Sequence, residues 1–311
     1  MSRAWIFPGQ GAQTIGMGRA LADGWPAAKA VFDEVDAALG EKLSALIWAG
    51  DIEALTLTEN AQPALMATSI AAVRVLEAEG FAVTEAAFVA GHSLGEYSAL
   101  CAAGVFGVTD AARLLRIRGR AMQAAVPVGV GAMAAVLGLD FAAVVEVAAE
   151  AAGGQVCQAA NDNDPGQVVV SGHLAAVERA VEIAKARGAK RAILLPVSAP
   201  FHCALMQSAA EVMAEALAGV VFRAPVVPVV ANVRADAVSD PAVLKRLLVE
   251  QVTGSVRWRE SVGFMLGQGV GEFWEIGAGK ALSGMIRRID REALCRAIGT
   301  PEDIAGLKGA V

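Results

Sequence analysis

Two periods govern the apolar positions of this chain. Short apolar runs at residues 4–7, 87–90 and 273–276 read as buried strands, and between them lie longer stretches with apolar residues every three or four positions. Strands alternating with helices predict an α/β fold with a parallel sheet covered on both faces. One region breaks the rhythm. Residues 131–138 read as a strand, 141–152 as a helix, 155–160 and 167–171 as strands, 174–187 as a helix and 191–197 as a strand. That β-α-β-β-α-β order predicts a ferredoxin-like unit, with residues 161–166 as the turn between its middle strands.

The segment 109–125 has the pattern of an amphipathic helix opened by Thr109 as a capping residue. At about 100° per residue, Arg113, Arg116 and Arg120 share one face. Arg118 falls about 140° from Arg113, among Ala111, Leu114, Leu115, Met122 and Ala125. A guanidinium keeps its proton, so an apolar setting is costly unless an anion meets it. Either the side chain snorkels to water or meets a carboxylate of this protein, or the anion belongs to a substrate.

Just upstream, Gly91-His92-Ser93-Leu94-Gly95 has the form G-x-S-x-G, between the strand 87–90 and a helix from Glu96. The three-residue pattern is weak in a chain with 33 Gly. The strand–turn–helix setting is what makes Ser93 a candidate nucleophile, since a tight turn exposes the hydroxyl above the sheet. The chain offers three histidines as its base. His92 lies inside the turn, and His173 opens a surface helix where water solvates it. His202 follows the buried strand 191–197 and stands at the start of a helix through Leu205, Met206, Ala209, Met213 and Leu217. A helix N-terminus keeps imidazole neutral, as a general base requires. No acid between Ser93 and His202 sits at a clear strand end, so a main-chain carbonyl is the alternative orienter of the ring. Together these features predict an α/β-hydrolase-like core of residues 1–127 and 198–311, with 128–197 as an inserted ferredoxin-like subdomain and the site in the cleft between them.

Composition narrows the class further. The 311 residues are 55% hydrophobic and 19% charged, enough for a large core, and the mean hydropathy of +0.50 comes from Ala and Val spread along the chain. No apolar stretch reaches membrane-spanning length, and the N-terminus does not read as a secretory signal. Cys101, Cys157, Cys203 and Cys295 share no C-x-x-C spacing and read as reduced thiols of a cytoplasmic protein. A net charge of −6 argues against nucleic-acid binding, and no residues have metal-ligand spacing. Gly277-Ala278-Gly279-Lys280 fails the spacing of phosphate-binding loops and reads as a strand-to-helix turn. Lys185, Arg187, Lys190 and Arg191 compensate a helix dipole or dock an acidic partner, as could Arg287, Arg288 and Arg291.

Four motifs in order resemble the malonyl-coenzyme A:acyl carrier protein transacylases nearly end to end. They are Phe7-Pro8-Gly9-Gln10-Gly11-Ala12-Gln13, Gly91-His92-Ser93-Leu94-Gly95-Glu96-Tyr97-Ser98-Ala99-Leu100, Arg116-Ile117-Arg118-Gly119 and Ala199-Pro200-Phe201-His202. The resemblance implies a catalytic set of Ser93, His202 and Gln251, the last through its backbone carbonyl. It also implies an oxyanion hole from the amides of Gln10 and Leu94. Arg118, Phe201, Asn161 and His92 are the implied substrate-lining residues, Arg118 taking the malonyl carboxylate and Phe201 favouring an unbranched acyl group. The local pattern alone reads Pro8–Gly11 and Asn161–Gly166 as ordinary turns. The implied activity is malonyl transfer from malonyl-coenzyme A to acyl carrier protein in fatty acid synthesis, with no cofactor and no metal, by a monomer. Malonyl transfer in polyketide synthesis or malonate decarboxylation, a serine thioesterase and a carrier-binding scaffold are the competing expectations.

Overall fold

The computed structural model describes residues 2–197 and 199–308. Among these residues, ten strands form two sheets: β1 Ser2–Phe7, β2 Phe88–Gly91, β3 Gly131–Leu137, β4 Cys157–Asp164, β5 Gln167–His173, β6 Arg191–Leu194, β7 Val229–Ala231, β8 Asp236–Val238, β9 Val270–Ile276 and β10 Leu294–Ile298. The larger sheet has the order β10-β9-β1-β2-β7-β8. Its pairs are parallel except for the last, where β8 runs antiparallel to β7. The expected all-parallel sheet therefore ends in one antiparallel edge strand. Strand β1 shows why the sheet is covered twice. Trp5 and Phe7 enter one apolar core, and Ala4 and Ile6 enter another on the opposite face. Successive side chains in a strand point to opposite faces, so a run of apolar residues buries both. Trp5 stacks on its cross-strand neighbour Trp274 with centroids 6.1 Å apart.

The second sheet is antiparallel throughout, in the order β4-β5-β3-β6. Helices Phe141–Ala152 and Leu174–Ala186 cover one face, packing on Ala134, Val136, Val168 and Val170. Met133 and Val169, on the other face, join the core of the larger unit. Two details depart from the sequence reading. Strand β6 stops at Leu194 rather than at residue 197, and Leu195 and Val197 turn down onto the larger core. Ser198, where the chain was expected to re-enter that unit, lies outside the described residues. Asn161–Asp164 is not a turn but the second half of β4, leaving only Pro165-Gly166 between the strands. These polar residues stay extended because three of them find side-chain partners across the interface. Asp162 receives Arg259 at 3.0 Å, Asp164 receives Arg288 at 2.8 Å, and Asn163 receives His92 at 2.9 Å. The backbone of β4 is also stitched to Val256 on both sides.

The arginine helix runs Val108–Ala124. Its N-cap is Gly107, not Thr109, whose hydroxyl reaches across to Glu34 instead. Arg116 is not on an open face with Arg113 and Arg120. It is buried against Glu41, with Glu59 at 3.8 Å. This helix crosses the first turn of the long buried helix Thr58–Ala78 at Gly119, where an added Cβ would lie 2.5 Å from Glu59 Cα. Gly119→Ala is expected to wedge the crossing open and destabilise the fold by about 1–3 kcal/mol. The measurement is the urea midpoint at unchanged slope, and an unshifted midpoint would contradict the close approach.

Candidate active site

The carboxyl ends of three neighbouring parallel strands, β1, β2 and β7, deliver the site, as open α/β sheets generally do. After β2 the chain reverses through His92 and Ser93 into the helix Gly95–Ala102. The turn is too tight for side chains at its two glycines. A Cβ on Gly91 would fall 1.9 Å from the Gly95 carbonyl, and one on Gly95 would fall 2.3 Å from the Phe7 oxygen. Ser93 takes φ = 53°, a left-handed conformation costing about 1–3 kcal/mol, and so presents its hydroxyl. Asn232, following β7, holds the turn. Its Oδ1 accepts from the Ser93 amide at 2.8 Å and its Nδ2 donates to the Gly91 carbonyl at 2.7 Å.

The Ser93 hydroxyl lies 2.7 Å from His202 Nε2. His202 Nδ1 is 2.9 Å from the backbone oxygen of Gln251, near the end of the helix Pro241–Thr253. A carbonyl only accepts, so Nδ1 carries the proton and Nε2 is the free base. The ring does not stand at a helix start. A single 3-10 turn, Ala204–Met206, separates it from the helix Gln207–Ala218. It is kept neutral chiefly by burial and next by the nearby Arg118 guanidinium, which together push it down to about 3. His202 also has φ = 58°, so both members of the pair sit in strained backbone.

Arg118 is 1% exposed, as its place on the apolar face of its helix demanded. Its partners are all neutral oxygens: Gln62 Oε1 at 2.7 Å, Gln251 Oε1 at 2.9 Å and Ser93 Oγ at 3.2 Å. Its centre also lies 5.7 Å from the Tyr97 ring. Glu96 is a buried carboxylate bonded at one remove, through Gln251 Nε2 at 2.9 Å. Burial pushes Glu96 up to about 7 against the pull of the Asn232 amide, Gln251 and Arg118. A buried cation beside an activated hydroxyl, with no carboxylate in contact, can take a substrate carrying its own carboxylate.

The acyl transferase domain family matches residues 4–288. The malonyl CoA-acyl carrier protein transacylase of Bacillus subtilis is 49% identical over 97% of this chain and 94% of its own length. The chain belongs to this transacylase family. An acyl-carrier-protein-S-malonyltransferase from Bartonella henselae is 56% identical and superposes with a TM-score of 0.97, covering 100% of this chain and 99% of its own. A malonyl-transacylase solved in complex with a type II polyketide synthase acyl-carrier protein is 42% identical, with a TM-score of 0.96 over all of both chains.

The other residues implied by family resemblance are placed as follows. Gln10 is exposed in the loop after β1, with Oε1 accepting from Thr58 at 2.9 Å. Leu94 heads the helix Gly95–Ala102. Among the described residues no hydrogen bond engages the amide of either. Phe201 is buried against the larger core beside His202. Asn161 is buried on β4 against Val256, and His92 points the other way from Ser93, onto Asn163 and the edge of Trp258. His92 thus braces the interface between the sheets rather than facing Ser93. His173 is half-buried, its Nδ1 accepting from the Val156 amide at 3.0 Å.

Each basic patch is paired only in part. Arg187 pairs with Glu146 and Glu150, Lys185 with Glu182, and Arg288 with Asp164. The four cysteines are free thiols, three of them buried. No group of three possible metal ligands occurs among the described residues, and none of their helices is long and apolar enough to cross a membrane. Sequence reading missed Asn232, Glu96, Thr58, Gln62 and the side chain of Gln251. Only Asn232 had a signal, a polar residue directly after the apolar strand Val229–Ala231.

The depressed His202 predicts a pH profile. Its stored base is neutral above about pH 4, so kcat/KM for acylation should show no limb at the ordinary imidazole value of about 6.5. Glu96→Gln removes the other group that titrates nearby. A limb at 6.5 in that variant would mean that His202 is more solvated than this geometry allows.

Proposed function

We propose that the chain carries malonyl from malonyl-coenzyme A to the pantetheine thiol of acyl carrier protein, through an acyl-Ser93 intermediate. The observation that carries this reading is the Arg118 guanidinium, buried 3.2 Å from the Ser93 hydroxyl with only neutral oxygens in hydrogen-bond contact. Ser93 attacks the thioester carbonyl while His202 Nε2 takes its proton, and the Gln251 carbonyl steadies the imidazolium through Nδ1. The amides of Gln10 and Leu94 receive the developing oxyanion, a single such donor contributing about 3 kcal/mol. His202 returns the proton to the leaving coenzyme A thiolate. The carrier thiol then gives its proton to His202, attacks the acyl-serine and restores the hydroxyl. A carbonyl stabilises imidazolium less than a carboxylate would, and a thioester with its good leaving group asks less of the base than an amide.

Arg118 binds the malonyl carboxylate with a planar fork that lysine lacks. It also draws that acyl group away from the path of water, which favours transfer over hydrolysis. Asn161 and Phe201 bound the acyl site in this reading. No cofactor takes part, since coenzyme A and pantetheine are themselves substrates. The names of the B. subtilis and B. henselae relatives support the donor and the carrier, and fatty acid synthesis is the pathway we assign. Residues 128–197 are read as an inserted ferredoxin-like subdomain, supported by the strand order β4-β5-β3-β6, and 1–127 with 198–311 as an α/β-hydrolase-like core. The test is incubation with malonyl-, methylmalonyl-, acetyl- and succinyl-coenzyme A followed by intact-mass spectrometry. A malonyl adduct that chases onto holo carrier protein is expected. Release of free malonate faster than transfer would make the protein a thioesterase.

A further inference from the structure

Thr58 and Gln62 have no part in the reaction above, yet both are polar side chains buried to 1% exposure at the start of the helix Thr58–Ala78. They join two functional elements. Arg118 Nη1 donates to Gln62 Oε1 at 2.7 Å, and Gln62 Nε2 donates to Thr58 Oγ1 at 2.8 Å. The Thr58 hydroxyl then donates to Gln10 Oε1 at 2.9 Å. A guanidinium can only donate, so the direction of every bond in this chain is set from the Arg118 end. Gln62 must turn its oxygen to the cation and its nitrogen to Thr58, whose proton is left for Gln10.

Helix capping does not account for Thr58. It is already inside the helix, and the N-cap Leu57 makes no side-chain cap. Apolar residues of similar shape would fill the same volume without the desolvation cost of two buried polar groups. Gln10, by contrast, needs a tether. It is exposed between Gly9 and Gly11, and Gly11 has φ = 102°. The close crossing that Gly119 permits, where an added Cβ would lie 2.5 Å from Glu59 Cα, is what brings the start of this helix beside Arg118.

We infer that Thr58 and Gln62 are positioning residues that hold the Gln10 loop in register with Arg118, so that carboxylate recognition and oxyanion stabilisation are coupled. The inference rests on the functional reading above, in which Arg118 takes the free carboxylate and the Gln10 amide the oxyanion. A malonyl group seated on the guanidinium then meets an oxyanion hole whose loop is held by the same hydrogen-bonded chain. Coupling through a shared network shows itself as non-additive substitution effects.

The test is a double-mutant cycle on the acylation half-reaction, with malonyl- and acetyl-coenzyme A as donors and the melting temperature recorded for every variant. Thr58→Val keeps the shape and removes the relay. It should lower kcat for malonyl transfer about tenfold with KM changed by less than about twofold, as expected of a loosened oxyanion donor. In an Arg118→Ala background the same substitution should cost less than about twofold. Thr58→Ser should restore the malonyl rate to within about twofold. Gln62→Met cuts the chain at its other link and should repeat the pattern, which covers the case in which Thr58→Val fails to fold. Equal losses in both backgrounds, no loss at all, or failure of Ser to rescue would overturn the coupling. If Arg118→Ala alone leaves the malonyl-to-acetyl preference unchanged, the reading of Arg118 fails instead, whatever Thr58 does.

Discussion

Ser93→Ala should leave no acyl adduct after incubation with malonyl-coenzyme A and lower transfer on the order of 10⁶-fold. The size follows from the loss of the covalent route itself. His202 then has no hydroxyl to activate, and the two-step path through an acyl-enzyme disappears. His202→Ala leaves the hydroxyl, and the loss should be smaller, about 10²–10⁴-fold, because only proton transfer is impaired. Both variants should fold, since the turn is held by backbone contacts of Gly91 and Gly95 and by the side chain of Asn232. An adduct persisting on Ser93→Ala, mapped to another residue by peptide mass spectrometry, would move the nucleophile elsewhere.

Arg118→Ala should reverse the acyl preference. Truncating one partner of a buried charge pair costs about 3–5 kcal/mol, which is about 10²–10³-fold or more in kcat/KM for malonyl-coenzyme A. Acetyl-coenzyme A has no carboxylate to lose and should turn over as well as before or better. A second consequence comes from the charge that the guanidinium places beside His202. Arg118 is the second cause, after burial, of the depressed imidazole. Its removal raises the proton affinity of His202, so the acid limb of acetyl transfer should move up in pH toward the ordinary imidazole value. Equal losses toward both donors, with no shift of the limb, would mean that the arginine only supports the fold.

How much of this was legible beforehand depended on the kind of signal. Ser93 and Arg118 stood out because each broke a local rule, one a strained turn between strand and helix, the other a cation on an apolar face. His202 could be selected among three histidines, but the reason for its neutrality was wrong. Its helix begins later than the pattern implied, and burial does what the helix dipole was expected to do. Asn161–Asp164 was misread as a turn because its composition is that of one. The partners Arg259, Arg288 and His92, which are 71 to 124 residues away in the chain, together with the Val256 backbone, allow it to remain a strand. Thr58 and Gln62 were invisible for the opposite reason. Their helix is buried on nearly every side, so it shows no polar face against which a polar residue could look misplaced.

The residue that links these elements is Gln251. Its backbone oxygen orients His202, its Oε1 accepts from Arg118, and its Nε2 reaches the Ser93 carbonyl and Glu96. A descendant of this enzyme that took up uncharged acyl groups by losing the arginine would strand two carboxamide oxygens, on Gln62 and Gln251, in a dry interior. Redirecting the acyl pocket is therefore a change that several helices must accept together, and single-site swaps at the arginine should be outperformed by variants that also reshape those two glutamines.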